Sequence, residues 1–131
     1  MNPANGLPKE EILRTLGAID ALFARGRRVT AMPVRCAWRV LSAEEFVEQQ
    51  TEVEVLFSVP KKFFKRANKR NLLRRRMKES YRTSKHALVQ LAAAKGVRIH
   101  VALIYSTKEL SDYTTINDAV NRILEQICER L

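Results

Sequence analysis

The residues best suited to chemistry in this sequence are cations, and they are bunched. Between positions 61 and 85 stand 12 lysines and arginines against one acid, Glu79. The run reads Lys61-Lys62-Phe63-Phe64-Lys65-Arg66-Ala67-Asn68-Lys69-Arg70-Asn71, then Leu72-Leu73-Arg74-Arg75-Arg76-Met77-Lys78-Glu79-Ser80-Tyr81-Arg82. The 131-residue chain has 24 basic and 14 acidic residues, a net +10, while this stretch alone is +11 and the remainder −1. Folded together, such charges repel one another. A polyanion relieves the repulsion and releases its own counterions, so nucleic acid is the leading partner class and an anionic membrane surface the second. Arginine dominates the later half of the run, and its planar fork suits bidentate phosphate contacts and stacking on bases. Lys61, Lys62, Lys65, Arg66, Lys69, Arg70, Asn71, Arg74, Arg75, Lys78 and Arg82 are therefore the candidate nucleic-acid contacts.

Other chemistry is thinly represented. There is no GxxxxGK[ST], GxSxG or HExxH motif. Glu79 reads as an ion-pair partner of Arg75, Arg76 or Arg82. Glu44, Glu45 and Glu48 sit in a solvated acidic stretch, and no protein-bound metal is expected. His86 reads as an exposed residue near the cations and His100 as a structural residue at a sheet edge. Cys36 and Cys128 are too few for a disulfide framework and fall on apolar faces, where they act as small hydrophobes. No catalytic group is expected in this chain.

The elements that must hold the cations in place can be read from periodicity. Residues 1–14 form a loose lead-in, and 15–131 a single α+β domain. Leu16, Ile19, Leu22 and Phe23 recur at helical spacing from a Thr15 cap to Arg25, with Gly26 as a left-handed stop. Val34, Cys36, Trp38 and Val40 alternate with Arg35, Ala37 and Arg39, as in a half-buried strand. Val53, Val55, Phe57 and Val59 form a second strand, ended by Pro60, and the two most simply pair antiparallel. A helix runs from Arg66 to about Leu91. Its apolar arc holds Leu73, Met77, Tyr81 and Leu88, and its opposite arc Asn71, Arg74, Arg75, Lys78, Arg82 and Lys85. Lys95-Gly96 breaks it, Val97–Tyr105 is a third strand, and a last helix starts among Asp112–Thr115 with the stripe Ile116, Val120, Ile123, Leu124, Ile127 and Leu131. The order implies a mainly antiparallel sheet with helices on one face. No apolar run approaches a membrane span and no signal pattern opens the chain, so a cytoplasmic protein is expected. A helix-turn-helix reader of DNA needs a helix packed just before the basic one; a strand precedes it here, and a rigid basic helix beside a sheet fits phosphate tracking on a folded RNA at least as well.

Those residues resemble the bacterial ribonuclease P protein component. That family places a strand ending in a Ser-Val-x-Lys-Lys-like sequence before a helix with an Arg-Asn-x-x-Lys-Arg-x-x-Arg-Glu pattern. Ser58-Val59-Pro60-Lys61-Lys62 and Arg70-Asn71-Leu72-Leu73-Arg74-Arg75-Arg76-Met77-Lys78-Glu79 stand in those positions. Ile19, Phe23 and Gly26 have the spacing of the family's N-terminal aromatic, aromatic and glycine. The chain departs from the pattern at Leu72, where a third basic residue is usual, at Lys78, where arginine is usual, and in a corner about one residue longer at Phe63–Arg66.

The resemblance implies the fold of ribosomal protein S5 domain 2, with a left-handed βαβ crossover. It implies that the Arg70 helix binds the catalytic RNA subunit of ribonuclease P, and that Mg²⁺ and the chemistry belong to that RNA. It implies a cleft between the first helix and the sheet for the 5′ leader of precursor tRNA, lined by Ile19, Phe23, Arg35 and Arg39. No protein partner and no membrane are expected. A non-catalytic or ribosome-associated RNA-binding domain of similar fold is the alternative, and a DNA-binding regulator the third reading.

Overall fold

The computed structural model describes residues 7, 9–42, 44, 45 and 51–131; Glu48 of the acidic stretch lies outside them. Helix α1 (Leu16–Arg25) is followed by strands β1 (Arg27–Ala31), β2 (Val34–Val40) and β3 (Val53–Ser58). Helices α2 (Ala67–Ser84) and α3 (His86–Lys95), strand β4 (Ile99–Tyr105) and helix α4 (Tyr113–Arg130) complete the chain.

The four strands form one mixed sheet in the order β1-β2-β4-β3. The first two pairings are antiparallel and the last is parallel. The expected β2–β3 pair does not form, because β4 lies between them. The reason is the long helical passage from β3 to β4: a parallel neighbour can only be reached by such a crossover, and β4 then takes the central place. His100 therefore sits in a central strand rather than at an edge, between the positions of Arg39 and Glu54.

Strand β1 has no counterpart in the sequence reading. Only Val29 of its five residues is buried, so the alternation that marks a strand is missing. A charged edge strand of this kind resists pairing with other chains.

The main core lies between the sheet and α2, α3 and α4. Trp38, Val55, Phe57, Val101, Leu103 and Tyr105 meet Leu73, Met77, Tyr81, Ile116, Val120, Ile123 and Ile127. Burying each of the large side chains is worth roughly 1.5–3 kcal/mol. Helix α1, expected on the same face, packs on the other one, over Ala37 and Ala102. Those two small side chains let it approach closely, and Leu22 fills the contact with no exposure.

Local details differ from expectation for identifiable reasons. Gly26 has φ −72, so it is not a left-handed stop. Glycine is needed there for space, since a Cβ would lie 2.3 Å from the Leu22 carbonyl oxygen and 3.1 Å from that of Trp38. Thr15 holds the N-cap position without a side-chain cap bond. The long basic helix is two helices that meet at Lys85. Thr83 turns its hydroxyl back onto the carbonyls of Glu79 and Ser80, a bond that bends helices. Lys85 is held at the corner by the Glu11 carboxylate, with its Nζ 2.5 and 2.7 Å from the two oxygens. Gly96 ends the helix where a break is expected, and does so in the left-handed conformation, φ 67. Asp112 caps α4 by accepting the Thr115 N–H at 2.9 Å, and the predicted α4 stripe is buried through Ile127.

The described end of the lead-in is not loose. Ile12 bridges to Val55, Leu13 is buried and donates its N–H to the Val55 carbonyl, and Glu11 pairs with Lys85. This segment lies along the outer edge of β3 and covers it.

Candidate nucleic-acid interface

Helix α2 is pinned by its apolar side. Leu73, Met77 and Tyr81 are fully buried, Tyr81 meets Phe57 edge-on at 5.8 Å, and Ser80 donates to Asn117 Oδ1 at 2.8 Å across to α4. The opposite side then has to face outward. Asn71, Arg74, Arg75 and Lys78 line one shallow depression on it, with no acid among them. Arg74 donates to Asn71 Oδ1 at 2.9 Å, which aligns the two along the helix.

The other cations of the run divide into two sets. Lys61, Lys62, Lys65, Arg66 and Lys69 are exposed around the strand-to-helix corner. Several others are engaged inside the protein. Arg70 donates to the carbonyls of Phe64 and Lys65 at 2.8 and 2.7 Å and so closes the corner. Arg76 reaches inward to the Ser111 carbonyl at 2.5 Å. Arg82 is paired with Glu79 at 2.5 Å, and its hydrogen bonds hold the Glu79 carboxyl below the usual carboxylate range. Of the three partners considered for Glu79, Arg82 is the one found. Lys85, expected on the cationic arc, is taken out of it by Glu11.

A second basic feature lies on the α1 side of the sheet. A groove of about 360 Å³ is lined by Arg28, Thr30, Met32, Arg35, Cys36, Pro60, Lys62, Phe63, Ile104 and Ser106. Cation–aromatic pairs bound it. The Arg28 guanidinium stands 5.9 Å from the Phe23 ring centre and donates to the Phe23 carbonyl, and Lys62 Nζ stands 5.0 Å from the Phe63 ring centre. Of the two adjacent phenylalanines, Phe64 is core, 5.8 Å from the Tyr105 ring, and Phe63 is half-buried in the groove wall.

The four residues expected in a cleft are thus only partly brought together. Arg35 lines the groove and Phe23 backs Arg28, while Ile19 packs half-buried into the contact between α1 and the sheet. Arg39 points elsewhere. It donates to both oxygens of Glu45 at 3.0 and 2.6 Å, and with the Ser42 N–H it pulls the Glu45 carboxyl down to about 2. Arg28, Thr30 and Met32 escaped the sequence reading because β1 did. The one trace of them was the Arg27-Arg28 pair just after Gly26, where alternation puts one arginine on each face.

Acid–base candidates are inactive as placed. Burial lowers His100 to about 4, helped by Arg39, so it is neutral at pH 7 and its 3.4 Å approach to Glu54 is a polar contact rather than an ion pair. Burial pushes the Cys36 and Cys128 thiols up. Among the described residues no three histidines, cysteines or carboxylates gather to hold a metal ion. The carboxylates beside the basic helix are already engaged, Glu79 by Arg82, Glu11 by Lys85 and Asp112 by the Thr115 N–H, and do not fit a Mg²⁺ ion. No described helix is long and apolar enough to cross a membrane.

A small α+β protein with one acid-free cationic helix face and one basic, aromatic-walled groove is built to hold nucleic acid, and comparison with known proteins agrees. The profile of the Ribonuclease P family matches residues 7–128. The ribonuclease P protein component of Porphyromonas gingivalis is 33% identical over 125 residues, covering 95% of this chain and 88% of its own. That of Chlorobium phaeobacteroides is 28% identical over 130 residues, covering 94% and 88%. The ribonuclease P protein of Thermotoga maritima has the same fold, with a TM-score of 0.63 at 19% identity over 88% of this chain and 96% of that one. The chain belongs to the ribonuclease P protein component family. It is an RNA-binding subunit of the endoribonuclease that matures tRNA 5′ ends.

Proposed function

We propose that the two basic features divide the RNA between them. The outer face of α2, through Asn71, Arg74, Arg75 and Lys78, lies along the sugar-phosphate chain of the catalytic RNA subunit. Lys61, Lys65, Arg66 and Lys69 extend that contact around the corner. Arg82, paired with Glu79 through both carboxylate oxygens, stands at its far end, and Arg70 contributes by holding the corner in shape. The observation that carries this reading is the depression of four polar and cationic residues on α2 without one acid.

The groove takes the single-stranded 5′ leader of precursor tRNA. Arg28, Arg35 and Lys62 supply charge that follows a backbone, and Phe63 offers a face to a base. Stacking of this kind is worth roughly 1–3 kcal/mol per base. The protein screens phosphate repulsion and aligns the leader, and the RNA subunit with its Mg²⁺ performs the phosphodiester cleavage. The reaction takes place in the cytoplasm, and the part of this chain that binds RNA is one folded unit from Lys9 to the end of α4.

The test is precursor tRNA cleavage by the RNA subunit at low Mg²⁺ with and without this protein. The protein should raise the rate and lower the Mg²⁺ requirement. An unchanged rate and Mg²⁺ dependence would refute the reading.

A further inference from the structure

A third cationic feature lies away from both surfaces. At the end of the sheet where Arg27 pairs with Trp38 and Val40 with Ile99, a depression of about 370 Å³ is lined by Arg25, Arg27, Arg39, Arg130, Trp38 and Val40, with Leu131 at its rim. The groove sits at the opposite end of the sheet, near Thr30, Arg35 and Ile104. The residues come from the end of α1, the start of β1, the end of β2 and the end of α4, so only the fold gathers them.

The charge here is uncompensated. Arg39 is held by Glu45, but Arg25, Arg27 and Arg130 are exposed and have no carboxylate partner among the described residues. No acidic side chain lines the depression. Below them lies Trp38, 1% exposed, with the Arg27 guanidinium 5.4 Å from its ring centre and its indole N–H without an acceptor among the described residues. Gathering three guanidiniums with no carboxylate paired to any of them costs the folded state, and an oxygen anion that accepts their forks removes the cost. Arginine rather than lysine at all three positions favours the bidentate geometry of a phosphate.

We propose that Arg25, Arg27 and Arg130, gathered over Trp38, form a third phosphodiester site through which the protein holds RNA independently of α2 and of the groove. The choice of RNA among polyanions rests on membership of the RNA-binding family; the site itself rests on the convergence of the arginines. An acidic peptide is the rival occupant.

The chain's one tryptophan lies in the site, so its emission reports occupancy. The experiment titrates the whole protein with the catalytic RNA subunit and, separately, with precursor tRNA, following affinity against salt and Trp38 emission. The double variant Arg27→Gln, Arg130→Gln should bind one of the two RNAs about tenfold more weakly and lower its log–log salt slope by about one to two. The RNA that responds identifies the source of the phosphate. The emission change of the unaltered protein on binding that RNA should be lost in the variant and kept in Arg74→Ala, Lys78→Ala. If the double variant does not fold, Arg130→Gln alone, at the exposed end of α4, should still lower the slope by about one. Unchanged slopes for both RNAs, or an emission change produced by polyglutamate and not by RNA, would overturn the proposal. The α2 variant separates the failures: if it too leaves RNA binding unchanged, the function proposed above falls; if it weakens binding while the pocket variants do not, only this site does.

Discussion

The outer face of α2 and the groove on the α1 side of the sheet are both basic, yet they are made in opposite ways. The α2 face is local: Asn71, Arg74, Arg75 and Lys78 lie within eight residues and share a side because a helix repeats every 3.6. The groove is tertiary: Arg28 and Thr30 come from β1, Arg35 from β2, Lys62 and Phe63 from the corner, and Ile104 from β4. A local surface tracks a polymer whose charge repeats regularly. An assembled one combines charge with an aromatic wall and can discriminate a single strand. The comparison also shows that counting cations overstates an interface, since Arg70, Arg76 and Lys85 of the basic run are fastened to the protein itself.

The largest expected effect separates the two surfaces. Arg74→Ala with Lys78→Ala should weaken binding of the RNA subunit by one to two orders of magnitude and lower its salt slope by about two. The preference for precursor over mature tRNA should stay as it was. Filter binding across a salt series checks this, and a change in that preference would merge the two surfaces into one.

Phe63→Ala should do the converse, removing roughly 1–3 kcal/mol of the precursor preference while the RNA-subunit affinity holds. Phe23→Ala should follow in the same direction with a smaller loss, because its half-buried ring acts through Arg28. Competition between precursor and mature tRNA measures both. Equal loss for the two RNAs would assign these rings to the core alone.

Asp112→Ala should lower stability by removing the cap of α4, seen as an earlier midpoint in chemical denaturation. Helix α4 braces α2 through Ser80 and Asn117 and contributes no residue to the groove, so RNA-subunit binding should feel any fraying before leader binding does.

The smallest effect concerns Arg39. Arg39→Ala should leave leader binding unchanged, since Arg39 is occupied by Glu45. The Glu45 carboxyl, now about 2 against an ordinary 4.5, should move back up, and His100, now about 4, should rise part of the way, burial being its larger cause. Both groups titrate lower in the folded protein. Glu45 therefore contributes stability above its ordinary value that is lost as pH falls toward about 2, and His100 stability above 6.5 that is lost as pH falls toward about 4. Carboxylate and imidazole shifts followed by NMR across pH would show whether the variant flattens this loss.

What was legible in the chain follows the same division. The cationic face of α2, the apolar stripe of α4 and the alternation of β2 and β3 were readable because each depends on spacing within one segment. Strand β1 was not, since Arg27-Arg28-Val29-Thr30-Ala31 shows one buried apolar residue and an edge strand needs no more. The neighbours of β3 were misjudged because short connections usually pair strands, and here a two-helix crossover brings β4 between. Arg39 was placed in the cleft because alternation fixes the face of a strand residue but not whether a loop acid waits beside it. The groove's membership therefore became visible only once β1, β2, the corner and β4 stood together.

The central claim is that two surfaces hold two different RNAs. Photo-crosslinking from inside the assembled ribonucleoprotein tests it most directly, with a benzophenone side chain placed at position 63 in one sample and at position 75 in another. Position 63 should crosslink to the 5′ leader of the precursor and position 75 to the catalytic RNA subunit. Crosslinks from both positions to the same RNA, or the reverse assignment, would contradict the account.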